Sequence, residues 1–117
     1  MKIILFHLFL LLMYPGKRAL FIFYNQQGEA LKREQLAELE KDRAGIRERD
    51  IIIHTVPANA AIAEIKKYRI NDSDTFIIIL IGKDGGEKLR SDTVLSTAKL
   101  FSTIDAMPMR KEEMRDN

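Results

Sequence analysis

Residues Thr75 to Ile81 read Thr-Phe-Ile-Ile-Ile-Leu-Ile, the strongest strand signal in the chain. A short, continuous apolar run rich in β-branched side chains marks a strand buried on both faces. Polar Asn71-Asp72-Ser73-Asp74 precedes it and Lys83-Asp84-Gly85-Gly86 follows. Asp-Gly suits the positive φ of a hairpin turn, so Glu87 to Arg90 is expected to return as an edge strand.

Two further runs fit beside it. Arg18 to Tyr24 (RALFIFY) reads as a buried strand ending at polar Asn25-Gln26-Gln27-Gly28, and Ile51 to Val56 as a β-branched strand closed by Pro57. Between them, Glu29 to about Ala44 is rich in helix formers, with Leu36, Leu39 and Ile46 on one side. Gly45 is expected to end that helix in the left-handed region. Asn59 is placed to cap a second helix whose apolar face is Ile62, Ile65 and Tyr68. Ser96 is placed to cap a third, with Leu95 stapled on Leu100 and a stripe of Leu100, Phe101, Ile104 and Met107. Pro108 stops this helix, and residues 109–117 read as a charged tail with room for one more helical turn.

The order β-α-β-α-β-β-α implies an α/β fold, a four-stranded mixed sheet with flanking helices. Two parallel strands joined by a right-handed crossover, then a hairpin and a covering helix, make the thioredoxin-like arrangement. At 117 residues this is one domain, expected over residues 17–108.

Residues 1–16 read as a hydrophobic leader. Met1-Lys2 precedes an apolar run from Ile3 to Tyr14, broken only by His7 and ended by Pro15-Gly16. A positive start and a run of this length fit a secretory signal, and twelve residues are too few to span a bilayer as a helix. The expected address is therefore periplasmic or extracellular. Against it stand the missing A-x-A-like cleavage site and Lys17-Arg18, whose charge opposes translocation. An uncleaved membrane anchor, or a strand or helix of the domain itself, are the alternatives.

Composition excludes several chemistries. The chain has no cysteine, so disulfides, thiolate nucleophiles, cysteine peroxidase activity and Cys-ligated zinc are ruled out. Two histidines, His7 and His54, are too few for a histidine metal centre. A net charge of +2, with both signs interspersed, predicts no nucleic-acid partner. No cofactor motif is present.

The stretches Leu80-Ile81-Gly82-Lys83-Asp84-Gly85-Gly86-Glu87-Lys88-Leu89-Arg90-Ser91 and Ile104-Asp105-Ala106-Met107-Pro108-Met109-Arg110-Lys111-Glu112-Glu113-Met114-Arg115 carry a resemblance. With the rest of the chain from Arg18 onward they resemble the P-DUDES family, also called domain of unknown function (DUF) 4174. The resemblance implies a thioredoxin-like fold, bacterial members with a signal sequence, and animal relatives within secreted sushi-repeat and matrix proteins. It implies no established activity and supplies no catalytic residue. The abrupt Pro15-Gly16-Lys17-Arg18 junction departs from typical members.

In an open α/β sheet, ligands gather at the carboxyl ends of the parallel strands. That edge should hold Asn25, Gln26 and Gln27, the segment from Thr55 to Pro57, the start of the third strand at Asp74 and Thr75, and the end of the fourth at Arg90, Ser91 and Asp92. Redox-active relatives carry cysteines at the first of these places and a cis-proline before the third; here they read Asn-Gln-Gln-Gly and Ser-Asp-Thr. Arg90 beside Asn25 and Thr75, with Gln26 and Asp92 nearby, is the candidate site for an anion held bidentately. The competing reading makes Arg90 a structural strand-end residue paired to Asp74 or Asp92.

Other motifs have plainer readings. Gly82 to Gly86 leads into a strand rather than a helix, so it is a turn and not a phosphate loop. His54 alternates with Ile52 and Val56 and lacks catalytic neighbours in sequence. Asp72 and Asp74 belong to a turn. Arg43, Arg47 and Arg49 with Lys41 interleave with acids as a solvated face. Met107 reads as core, while Met109 and Met114 are open to a binding role. The expected function is an exported, non-catalytic binding or accessory module for a protein or small anionic ligand of the cell envelope. The alternatives are a thiol-independent enzyme built on Arg90, Asn25 and Thr75, and a scaffold that touches the membrane through an uncleaved leader.

Overall fold

The computed structural model describes residues 16–60 and 62–116; residues 1–15 of the leader, with His7 and the readings placed on them, lie outside these. Strand β1 (Arg18–Tyr24) is followed by a 3-10 turn (Gln26–Gly28) and helices α1 (Glu29–Glu40) and α2 (Arg43–Glu48). Then come β2 (Ile51–Pro57), α3 (Ile62–Lys67), β3 (Phe76–Ile81), β4 (Glu87–Ser91), α4 (Thr97–Asp105) and α5 (Pro108–Asp116). The sheet order is β2-β1-β3-β4. β1 and β2 are parallel, with Arg18 opposite Ile51 and Tyr24 opposite Pro57, while β3 runs antiparallel to both β1 and β4. The expected α/β sheet is therefore present, with helices on both faces.

Strand alternation divides the core. Leu20, Ile22, Phe76, Ile78 and Leu80 face Leu39, Ile46, Leu95, Leu100 and Ile104. Phe21, Phe23, Val56, Ile77 and Ile79 face the other way, toward Tyr68 and Ile65. Leu20, Phe21, Ile22, Ile78, Ile79 and Leu80 are all 0% exposed, which explains why β1 and β3 are apolar on both faces. Each such side chain contributes about 1.5–3 kcal/mol by leaving water.

Three local expectations change. Gly45 does not end a helix in the left-handed region: α1 stops at Glu40, Asp42 Oδ1 accepts from Gly45 N at 2.8 Å, and Gly45 lies inside α2. A Cβ there would come within 2.6 Å of the Phe101 ring, so close packing rather than turn geometry requires glycine. In α3, Ile62 is 56% exposed; Ile65, with Tyr68 and Ile70 just beyond the helix, packs on the sheet, and Asn59 sits in the turn before it. The stretch after Pro108 is a full nine-residue helix, with Pro108 in the first turn, where its missing N–H costs nothing. Ser96 does cap α4, its hydroxyl accepting from Lys99 N.

Candidate functional site

The carboxyl edge of the parallel strands brings Asn25 and Thr75 together. Asn25 N donates to Thr75 O at 3.1 Å, and its Nδ2 donates to Asp74 O at 3.4 Å. Its Oδ1 accepts from Gly28 N at 3.0 Å, capping the 3-10 turn. Gly28 packs so closely on β3 that a Cβ would lie 1.8 Å from Thr75 O. Asn25 thus joins two segments through all its polar atoms. Asp74 likewise accepts from Asn71 N at 2.8 Å, as a turn residue. Gln26 and Asp92 are exposed. The cavity here, lined by Tyr24, Asn25, Ala58, Ile70, Asp72 and Asp74 among others, has a volume of about 100 Å³. Ligand pockets run from roughly 300 to 1,000 Å³, so this edge is too shallow for an ordinary metabolite.

Arg90 is not part of it. Its register places it opposite Ile79, in one cross-sheet row with Phe21 and His54, three residues along β3 from Phe76. Its Nε and Nη2 bond Glu87 Oε2 and Oε1 at 3.0 and 2.9 Å, and Nη2 also donates to Tyr68 O. The acid it bonds is Glu87, and Asp74, expected as a partner, contributes only a longer-range charge attraction. A register irregularity between Leu80 and Ile81 explains it: Leu89 opposes Leu80 but Glu87 opposes Ile81. The extra residue puts positions 87 and 90 on one face, where regular alternation would separate them. The pair raises the Arg90 pKa and lowers that of Glu87, in both cases first through their hydrogen bonds.

The two distinctive sequence stretches meet at the opposite edge, beside the start of β1. Arg18, 1% exposed, donates from Nη1 to Arg49 O at 2.7 Å and from Nη2 to Glu113 Oε2 at 3.0 Å. Lys83 Nζ bridges Glu113 Oε2 at 2.7 Å and Asp50 Oδ2 at 2.8 Å. Arg110 joins Asp105 Oδ1 at 3.0 Å and Glu48 Oε2 at 2.9 Å, and Arg49 Nη2 meets Asp105 Oδ2 at 2.9 Å over the Phe101 ring. The Asp105 carboxyl is held below its ordinary range, first by the Arg49 hydrogen bond and then by Arg110. Burial opposes ionisation of Asp50 and Glu113, yet Lys83 with Lys17 or Arg18 outweighs it and lowers both. This network clamps α5 to the domain. It was missed because Arg18 and Lys83 lie far in sequence from Arg110 and Glu113, and only the presence of Lys83, Arg110 and Glu113 in the two distinctive stretches could have pointed to it.

Lys83 is otherwise a turn residue as expected: Gly85 has φ +83°, and Asp84 Oδ1 accepts from Gly86 N at 2.9 Å. His54 is buried and stacked on Phe21 with ring centroids 5.3 Å apart. Met107 packs on the core, while Met109 and Met114 are exposed.

A larger groove of about 520 Å³ follows the outer edge of β2. Its floor is Leu36, Leu39, Ile46 and Ile51 to Ile53, and its rim carries Lys17, Glu40, Arg43, Arg47 and Asp50. Because β2 is the terminal strand of the sheet, its outward N–H and C=O groups pair with no strand among the described residues. Nothing in the sequence signals this groove, since it depends on how α1 and α2 dock beside β2.

Solved structures give the same fold. A malaria parasite thioredoxin-2, described as a component of protein secretion machinery, matches with a TM-score of 0.60 at 16% identity over 78% of this chain and 84% of that one. The 2-Cys peroxiredoxin of Plasmodium vivax, in its reduced form, matches with a TM-score of 0.66 at 15% identity, covering 87% and 84%. Trxlp from Edwardsiella tarda matches with a TM-score of 0.59 at 23% identity, covering 84% and 91%. These likenesses establish a thioredoxin-like fold. No curated protein matches the chain. The family described as "Domain of unknown function (DUF4174)" matches residues 9–113, so this cysteine-free, thioredoxin-like chain belongs to the DUF4174 family.

Proposed function

We propose that this protein is a non-catalytic binding module acting outside the cytoplasmic membrane, and that it takes an extended polypeptide segment along the outer edge of β2. Export is supported by the leader, with Lys2 ahead of the apolar run Ile3 to Tyr14. The single observation carrying the binding reading is the groove of about 520 Å³ beside strand-edge groups that pair with no strand among the described residues. An exposed strand edge offers main-chain hydrogen bonds to an added strand, and the adjoining apolar floor selects its side chains. Glu40 pairs with Arg43, and Asp50 with Lys17 and Lys83. No described carboxylate pairs with Arg47 on the rim. The fitting segment is therefore apolar in alternation, with an acidic residue beside Arg47.

The enzyme alternative lacks its charge, because Glu87 and the Tyr68 carbonyl already occupy the Arg90 guanidinium. A displayed library of random dodecapeptides, panned against the full chain and against Ile53→Lys, tests the binding reading. Enriched peptides carrying an acid, with at least tenfold weaker binding to Ile53→Lys and Arg47→Glu, support it. Peptides that bind all three proteins alike refute it, as does an absence of enrichment.

A further inference from the structure

We infer that the segment taken along β2 is the carboxyl-terminal end of a polypeptide, and that Arg47 reads its α-carboxylate. The inference rests on the binding reading above and names the class of ligand that the same site selects. It is carried by where the groove lies on the strand, how the strand edge ends there, and which charge on the rim is left over.

The groove covers one end of β2. Of the seven strand residues, Ile51, Ile52 and Ile53 line it, all at the strand's start. Three extended residues span about 10 Å, room for the last turns of a pleat rather than for the middle of a long added strand. The edge also stops there. Asp50, just before β2, has φ +55°, and its N–H donates to Arg47 O at 3.0 Å, so the chain turns sharply from α2 into the strand. Past Ile51 an added strand finds no further edge groups of β2. Lys17, Asp50 and Arg47 stand around the place where it ends.

Charge selects which end of a chain fits. The rim sets Lys17, Arg43 and Arg47 against Glu40 and Asp50. Arg43 Nε meets Glu40 Oε1 at 3.1 Å, and Lys17 Nζ meets Asp50 Oδ1 at 3.2 Å. Arg47 is exposed, and no described carboxylate answers it. A terminal ammonium placed there would meet a like charge, whereas a terminal carboxylate gains a planar, two-pronged partner. With its carboxyl end at the start of β2, the added strand runs antiparallel to β2 and pairs with its edge as far as Ile51. The α-carboxylate continues that main-chain line, and alternate side chains before it fall on the floor of Leu36, Leu39 and Ile46. The ligand class is an extended, apolar carboxyl terminus.

The dodecapeptide library tests this when it is displayed twice, once with free carboxyl ends and once anchored through them, and panned against the full chain. Enriched sequences are then made both as free acids and as carboxyl-terminal amides, and their affinities are measured by fluorescence anisotropy. Enrichment at least tenfold greater in the free-end format is the expected result. The free acids should bind about fivefold or more tightly than the amides, the scale of one ion pair at a partly exposed rim. Arg47→Ala, an exposed change, should erase that difference while leaving the affinity of the amides unaltered, which a merely structural role for Arg47 would not do. Equal affinities of acid and amide overturn the inference, as does a difference that survives Arg47→Ala. In either case, peptides that still need Ile53 and Arg47 leave the groove reading standing, with a side-chain acid as the group bound. Peptides that need neither residue, or no enrichment in either format, bring down both readings.

Discussion

Replacing Glu113 by alanine should destabilise the fold far more than a surface substitution on α5 would. Glu113 receives the Nη2 of Arg18 at 3.0 Å and the Nζ of Lys83 at 2.7 Å. Arg18 is 1% exposed, and its Nε has no partner among the described residues. After the substitution the guanidinium keeps only the Arg49 carbonyl, and a buried cation loses its counter-charge. Breaking one side of a buried pair costs about 3–5 kcal/mol. Because the Glu113 side chain is 22% exposed, and Lys83 keeps Asp50, the lower end applies: about 3 kcal/mol. At about 4 °C per kcal/mol for a domain this size, Tm should fall by about 12 °C. Equilibrium urea unfolding followed by far-ultraviolet circular dichroism measures it. Arg18→Met with Glu113→Gln should recover part of the loss, since no buried charge is then left alone. Lys17→Ala, which removes an exposed partner of Asp50, should cost under about 1 kcal/mol. A Glu113→Ala loss no larger than that of Lys17→Ala would refute the role assigned to the network.

The same carboxylates set an acid limit. Asp50, Asp105 and Glu113 have lowered folded pKa values, so their contribution is complete above the unfolded range of about 3.9–4.3 and is lost as pH falls through the folded values. Unfolding free energy should therefore hold level from about pH 7 to 5 and decline below about pH 4, with a shallower decline in Glu113→Gln; urea titrations at each pH would show it. Gln35, 0% exposed, donates to Leu95 O at 2.9 Å and accepts from Leu95 N at 2.7 Å. Gln35→Leu orphans both backbone groups and should cost about 3 kcal/mol in urea unfolding. Arg90→Ala removes a pair that is one-third exposed and should cost about 1 kcal/mol or less, with no change in affinity for any peptide selected on the β2 groove.

The elements themselves were readable because each rests on neighbours in sequence. Three strands were placed by apolar runs, the fourth by the Asp84-Gly85 hairpin turn, and the α4 cap by Ser96. Gln35 shows the limit: its neighbours in sequence do not mark it as buried, and only the approach of Leu95, sixty residues on, makes it a buried bracket. The candidate edge was legible in part. Asn25 and Thr75 meet as topology required, but Arg90 turns away, because a one-residue slip in the β3–β4 ladder is invisible to any period-two pattern.

Local covalent and conformational facts about this protein were settled by its residues alone: no thiol chemistry without cysteine, strands where β-branched runs occur, turns where Asp-Gly allows positive φ. Which polar groups become neighbours was decided by the tertiary structure, because that depends on strand register and helix docking across the whole chain. Arg18 and Glu113 are ninety-five positions apart, and Lys83 lies between them in a turn. No short-range pattern encodes their meeting, nor the groove left beside β2 when the helices settle on the sheet.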